Sequence, residues 1–119
     1  MSEPLPRPLD DLLVIDLTTG IAGPYATKMF RDAGATIIKV EPPDGDPLRT
    51  WTSAPLADPS APLAEGASGP LFQYLNAGKR SIILDPRDAQ DRANLGRLAA
   101  RADLIFEDWG PGRLEARGL

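Results

Sequence analysis

The sequence predicts an α/β fold, a parallel sheet of about four strands with helices packed on its faces. Two observations predict it. Leu12 to Glu41, LLVIDLTTGIAGPYATKMFRDAGATIIKVE, reads as one complete strand, turn, helix and second strand. Two more short apolar runs, Arg80 to Leu84 and Leu104 to Phe106, are separated by a segment with helical spacing. Strands that alternate with helices pair in parallel, with right-handed crossovers that cover both faces of the sheet.

Residues 1–11 carry Pro4, Pro6 and Pro8, which discourage regular pairing, so they form an extended lead-in. Leu12 to Leu17 is apolar except for Asp16, and it has the length of a buried parallel strand. Thr18 to Gly23 makes the turn. Pro24 suits the first position of a helix, where its missing N–H has no partner to lose. Ala22, Tyr25, Ala26, Met29, Phe30 and Ala33 follow at helical spacing and predict one apolar stripe on the sheet. Gly34 stands where a helix end favours a left-handed residue, and Ala35 to Glu41 resumes as a β-branched strand.

A Pro-rich connection, residues 42–69, holds six of the thirteen prolines and no sustained period, which places it outside the core. A loop that long in a compact domain is functional, mobile or covered, and Trp51 favours the covered case. Gly69 and Pro70 start a short helix with Leu71, Phe72, Tyr74 and Leu75 that stops near Asn76 and Gly78. Arg80 to Leu84 is the third strand. A longer helix begins between Pro86 and Asp88, with Leu95, Leu98, Ala99 and Ala102 on one stripe and Arg92, Asn94, Arg97 and Arg101 mostly off it. Leu104 to Phe106 is the fourth strand, and Leu114 to Ala116 a short terminal helix.

Composition narrows the chemistry. The 119 residues are 42% hydrophobic and 25% charged, which fits one ordinary soluble domain. A formal charge of −4 disfavours a nucleic-acid partner, although ten of the thirteen basic residues are Arg, whose planar fork suits a local phosphate site. With no Cys there is no disulfide and no thiol nucleophile, and with no His the commonest metal ligand and general base is missing. No metal site is expected. Chemistry here falls to carboxylates or backbone. No run approaches the roughly 20 apolar residues of a membrane span, and MSEPLPRPLDD lacks a signal-peptide profile, so the expectation is a cytoplasmic protein without a membrane partner.

Ligands of open parallel sheets bind beyond the carboxyl ends of the strands, here Thr18 to Gly23, Glu41 to Asp46, Leu84 to Arg87 and Glu107 to Gly112. Gly20, Gly23 and Glu41 have the layout of a dinucleotide site, but the spacing is G-x-x-G rather than G-x-G-x-x-G. Lys79, Arg80 and Arg87 bracket the third strand. The turn at Asp85 to Asp88 reads either as an anion site at a helix start or as a solvated N-cap. Trp109 reads as a stacking platform or as a core residue at the sheet edge. Asp16, Asp103, Glu107 and Asp108 lie near strand ends without a partner at diagnostic spacing, so capping and turn bonding are their expected roles.

The ordered blocks DLTTGIAGPYATKMFRDAGATIIKVEPPDGDPLRTW, LFQYLNAGKRSIILDPRD and ARADLIFEDWGPGRLEARGL resemble the amino-terminal portion of the family III CoA-transferases, which include formyl-CoA and carnitine CoA-transferases and α-methylacyl-CoA racemases. The resemblance implies a Rossmann-like parallel sheet that is the incomplete half of a larger domain. It also implies coenzyme A or acyl-CoA and a small carboxylic acid as substrates, no prosthetic group, and an interlocked homodimer. In the family an aspartate attacks the thioester to give an acyl-enzyme anhydride and then an enzyme-bound CoA thioester; in the racemases the equivalent carboxylate helps move the α-proton. That aspartate falls beyond Leu119, so no catalytic residue is assigned in this chain. The same resemblance places CoA contacts at Ile21 and Ala22, at Leu84, Asp85, Pro86 and Arg87, and at Asp108, Trp109 and Gly110. Two departures stand out. Pro42 occupies a position that is often basic, and the family's arginine in the final turn aligns with Ala116, leaving Arg117 one place later. CoA phosphate then relies on Arg117 if it can swing in, and otherwise on Arg87 and Lys79. The alternatives are an acyl-CoA racemase of the same family and a non-catalytic CoA- or nucleotide-binding module built on Arg87 and the loop at Gly110 to Gly112.

Overall fold

The computed structural model describes residues 3–51 and 68–119. Strand β1 (Leu13–Asp16) leads through helix α1 (Ala22–Asp32) to β2 (Thr36–Glu41). A single 3₁₀ turn (Pro47–Arg49) follows, then α2 (Pro70–Asn76), β3 (Arg80–Ile83), α3 (Ala89–Arg101), β4 (Leu104–Phe106) and α4 (Arg113–Ala116). The four strands form one sheet in the order β3-β2-β1-β4, all parallel. The expected strands and helices are all present, and the two outer strands carry exposed apolar residues, Ile83 on one and Leu104 on the other.

Strand alternation sorts the core into two layers. Ile15, Leu17 and Val40 face α3, where Leu95 is buried against them with Leu98 and Ala102 alongside. Val14, Ile37 and Ala35 face the other way, with Phe30 of α1 and Phe106 of β4 packed on them, the two rings edge to face with their centroids 5.3 Å apart. Asp16 and Lys39, opposite each other in the register of β1 and β2, sit on this second face and are fully buried.

Three expectations need correction. Helix α1 starts at Ala22, so Pro24 is its third residue; this is harmless because the first intrahelical bond is Tyr25 N–H to Ile21 O, 2.9 Å. The stripe on α1 is also displaced. Tyr25 and Met29 are exposed, whereas Pro24 and Thr27 are buried, since the Thr27 hydroxyl donates to Asp16 Oδ2 at 2.7 Å and that bond fixes which face meets the sheet. The connection after β2 is not wholly outside the core, because Asp46 is buried and caps the 3₁₀ turn by accepting from Leu48 N–H at 2.9 Å. The covered-loop reading rests on Trp51, which is half exposed, and on residues 52–67, which lie outside the described residues.

The helix ends follow their sequence signals. Gly34 adopts φ +114°, a left-handed backbone that ends α1. Asp88 caps α3, its carboxylate accepting from Asp91 N–H at 2.9 Å. The lead-in is tied down at its far end, where Leu9 N–H donates to Ala33 O at 3.0 Å.

Candidate functional site

The carboxyl ends of the strands open into a cavity of about 280 Å³. Its apolar floor comes from the α3-facing layer, Leu17, Val40, Leu84, Leu95 and Trp109, which puts the cavity on the face and at the end that parallel strands direct toward ligands. Its polar lining includes Thr19, Glu41, Asp91 and Asp108, and Arg113 and Arg117 approach from α4 and just beyond it.

Each carboxylate here is already engaged. Glu41 is paired with Arg49 through Nε at 3.0 Å and accepts from the Ser81 hydroxyl at 3.2 Å. Asp91 accepts from Asp85 N–H at 2.8 Å, and Asp108 accepts from Thr19 N–H at 3.1 Å. Asp103 and Glu107 likewise accept from Leu13 N–H and Trp109 N–H, both at 2.8 Å. Structural bonds therefore account for these acids: a local turn bond at Glu107, ties between distant strand ends at Asp103 and Asp108, and an ion pair at Glu41. The arginines differ: among the described residues neither Arg113 nor Arg117 is in an ion pair. The Arg117 guanidinium lies over the Trp109 ring, 4.3 Å from its centroid, and Trp109 Nε1 donates to Leu17 O at 3.2 Å. The indole is thus fixed by its own hydrogen bond and holds a cation at the cavity.

Beneath the first turn lies a buried set of charges that sequence reading did not group. Lys79 Nζ sits 3.2 Å from Asp16 Oδ2 and donates to Pro24 O (2.9 Å), Thr27 Oγ1 (2.7 Å) and Asn76 Oδ1 (2.9 Å). With its donors used in the interior, Lys79 is withdrawn from the phosphate-binding role considered for it. Lys39 Nζ donates to Thr18 O at 2.8 Å and stands 2.9 Å from Asp46 Oδ2. That oxygen lacks a well-aligned hydrogen bond, so charge alone holds it. Asp46 Oδ1 also receives Gly20 N–H at 3.5 Å, so the turn that carries Thr19 to the cavity is held from below.

Burial pushes the Asp16 carboxyl up, but hydrogen bonds from the Thr18 and Thr27 hydroxyls and the Lys39 charge outweigh it and leave the group below the ordinary carboxylate value. Burial pulls the Lys79 ammonium below the ordinary lysine value, against the opposing pull of Asp16. At the surface, Asp85 and Arg87 form a local pair at 3.0 Å, which lowers the carboxyl and raises the guanidinium.

Of the residues assigned to CoA, Leu84, Pro86, Asp108, Trp109 and Arg117 line the cavity. Ile21 and Ala22 do not. Because α1 begins at Ala22, both are carried to the exposed start of the helix, and Thr19 takes the cavity-facing place in the turn. Asp85, Arg87 and Gly110 also lie outside the lining, and the Arg87 side chain is 83% exposed. The sequence reading missed Arg113 and Asp91. The Pro-Gly pair before Arg113 announces a new turn at the strand-end loop, and Asp91 is an acid in the first turn of α3, so both had a positional signal.

Among the described residues no helix is long and apolar enough to cross a membrane. Comparison with known proteins is consistent throughout. Residues 9–119 match the model of CoA-transferase family III. A succinyl-CoA:mesaconate CoA-transferase of Haloarcula hispanica is 42% identical over 90% of this chain and 26% of its own length. A human succinyl-CoA:glutarate CoA-transferase is 36% identical over 95% of this chain and 24% of its own. Among solved structures, a CAIB/BAIF family protein from Brucella suis superposes with a TM-score of 0.80 at 38% identity, over 97% of this chain and 29% of that one. The chain thus spans about a quarter of the length of the curated relatives it matches. On a family match that takes in almost every residue from the lead-in onward, the chain belongs to CoA-transferase family III.

Proposed function

We propose that this chain is the acyl-CoA-binding amino-terminal part of an enzyme that moves CoA between an acyl-CoA thioester and a small carboxylic acid, through an aspartate outside the chain. The observation that carries the reading is the strand-end cavity, apolar at its floor and bearing Arg113 and Arg117 in a chain of this family. An acyl-CoA asks for such a surface, with apolar area for the adenine and pantetheine and guanidinium groups for the phosphates. Every carboxylate lining the cavity is committed to a backbone N–H or to Arg49, which supports placing the attacking carboxylate elsewhere. In that scheme the carboxylate attacks the thioester carbonyl and CoA leaves as thiolate; the thiolate then attacks the enzyme-side carbonyl of the mixed anhydride, expelling the donor carboxylate and leaving an enzyme-bound CoA thioester, from which the acceptor carboxylate takes CoA by the same two steps in reverse. The names of the relatives, which specify transfer to mesaconate and glutarate, favour transfer over racemisation. The protein is proposed to act as a cytoplasmic, interlocked homodimer.

The test is calorimetry with CoA together with an assay of thioester exchange. The full-length protein is expected to bind CoA in the micromolar range and to exchange thioesters, and the 119-residue chain alone to show no turnover. Turnover by the isolated chain would overturn the placement of the catalytic aspartate. Absence of CoA binding by the folded full-length protein would overturn the site.

A further inference from the structure

A second cavity, of about 270 Å³, opens at the opposite edge of the sheet, at the amino ends of β2 and β3. Three guanidinium groups from three separate parts of the chain line it: Arg7 of the lead-in, Arg31 of the last turn of α1 and Arg80 at the start of β3. Asp10 is the one acid among the lining residues, and its Oδ2 is engaged by Arg7 N–H at 2.7 Å. Arg31 donates from Nε to Gly78 O at 2.9 Å, which anchors the group and leaves both Nη atoms for a ligand. Among the described residues none of the three arginines is in an ion pair.

The arginines lie against bare backbone. A Cβ at Gly78 would stand 2.6 Å from Arg31 Nε, and a Cβ at Gly34 would stand 2.7 Å from Arg7 Cβ. Two left-handed glycines thus hold this edge open for side chains from elsewhere. Three cations facing one acid repel one another, and an anion with several acceptor oxygens relieves that repulsion. Guanidinium forks match phosphate oxygens two at a time. Its lining is mostly charged side chains and backbone, without the apolar floor of the acyl-CoA cavity, which suits a small anion rather than a nucleotide base. We propose that this cavity is a binding site for a small phosphate anion, separate from the acyl-CoA cavity at the other end of the strands.

The site is tested by titrating inorganic phosphate into the full-length protein by calorimetry, at ionic strength held constant with sodium chloride. Saturable binding is expected, weakened about tenfold or more by Arg31→Gln and by Arg80→Gln, the loss that follows from removing a charge-assisted contact. Arg113→Gln is expected to leave it unchanged. Arg80→Gln keeps the test alive if Arg31→Gln, which also loses the Gly78 bond, fails to fold by circular dichroism. Absence of saturable binding overturns the proposal, as does unchanged affinity in the folded arginine variants. Loss of phosphate binding in Arg113→Gln also overturns it, because the anion would then sit where the CoA phosphates are proposed to bind.

Discussion

Lys79, from the turn between α2 and β3, reaches Asp16 at the end of β1 with 3.2 Å between Nζ and Oδ2, and their side chains are 1% and 0% exposed. The pair ties the edge strand β3 to the central strand β1 across β2. Lys79 also donates to Thr27 and Pro24 of α1, so one ammonium joins a strand end, a helix and a turn.

Lys79→Met is expected to destabilise the protein by about 3–5 kcal/mol, the cost of leaving a buried charge without its partner. The double variant Asp16→Asn, Lys79→Met should recover a large part of that loss, since the orphaned carboxylate is then neutral. Urea unfolding of the four members of the cycle measures this. A Lys79→Met change within about 0.5 kcal/mol, the range of ordinary surface substitutions, would contradict the buried pair.

Acid stability follows from the same carboxyl. Asp16 is held below its ordinary value of 3.8 in the fold, so as pH falls through that value the unfolded chain takes up the proton first. Its contribution to stability is complete above that range and is lost as pH falls toward the depressed folded value. Stability measured between pH 5 and pH 2 should therefore fall less steeply in Asp16→Asn, which has no such proton to take up. Parallel curves for the two proteins would exclude Asp16 as a source of the acid limb.

Periodicity located the strands and helices because each buries an apolar face, and burial is what hydropathy spacing records. It misplaced the inward face of α1 because Thr27 is drawn in by a hydroxyl bond to Asp16, a polar contact with a residue on another element. For the same reason it left Asp46 in an open loop: Lys39 and Asp46 compensate each other only after β2 and the 3₁₀ turn are folded together. At the cavity, topology identified the strand-end segments, and Leu84, Pro86, Asp108, Trp109 and Arg117 of those assigned line it. The orientation of each side chain depended on where α1 and α4 begin, and a shift of a residue or two exchanged Ile21 and Ala22 for Thr19 and added Arg113.

Arg113 and Arg117 are expected to carry CoA affinity. Each change to Gln should weaken CoA binding by about tenfold, the loss of a hydrogen bond to a charged group, and the effect should shrink as salt rises. Arg117→Gln should in addition alter Trp109 fluorescence in the free protein, because its guanidinium rests on that ring. Calorimetry and emission spectra check both. Unchanged, wild-type CoA affinity in both variants would place the phosphates elsewhere.

The two glycines of the first turn should respond to substitution for different reasons. Gly20 has φ +79° and open space around its missing side chain, so Gly20→Ala costs only backbone strain, about 1–2 kcal/mol. Gly23 is helical, and helix propensity alone would favour alanine there by up to about 1 kcal/mol. A Cβ at Gly23, however, runs into Thr18 Cβ, Oγ1 and Cγ2. Thr18 cannot yield easily, being buried, bonded through its hydroxyl to Asp16 and held at its carbonyl by Lys39. Overpacking of this kind costs about 1–3 kcal/mol and moves backbone, which outweighs the propensity gain. Gly23→Ala should therefore lower stability and also weaken CoA binding, since Thr19 lines the cavity and moves with Thr18. Gly20→Ala, scored by the same urea unfolding and calorimetry, isolates the strain contribution. A stabilised Gly23→Ala protein with full CoA affinity would show that the turn can move away from α1 without disturbing the cavity.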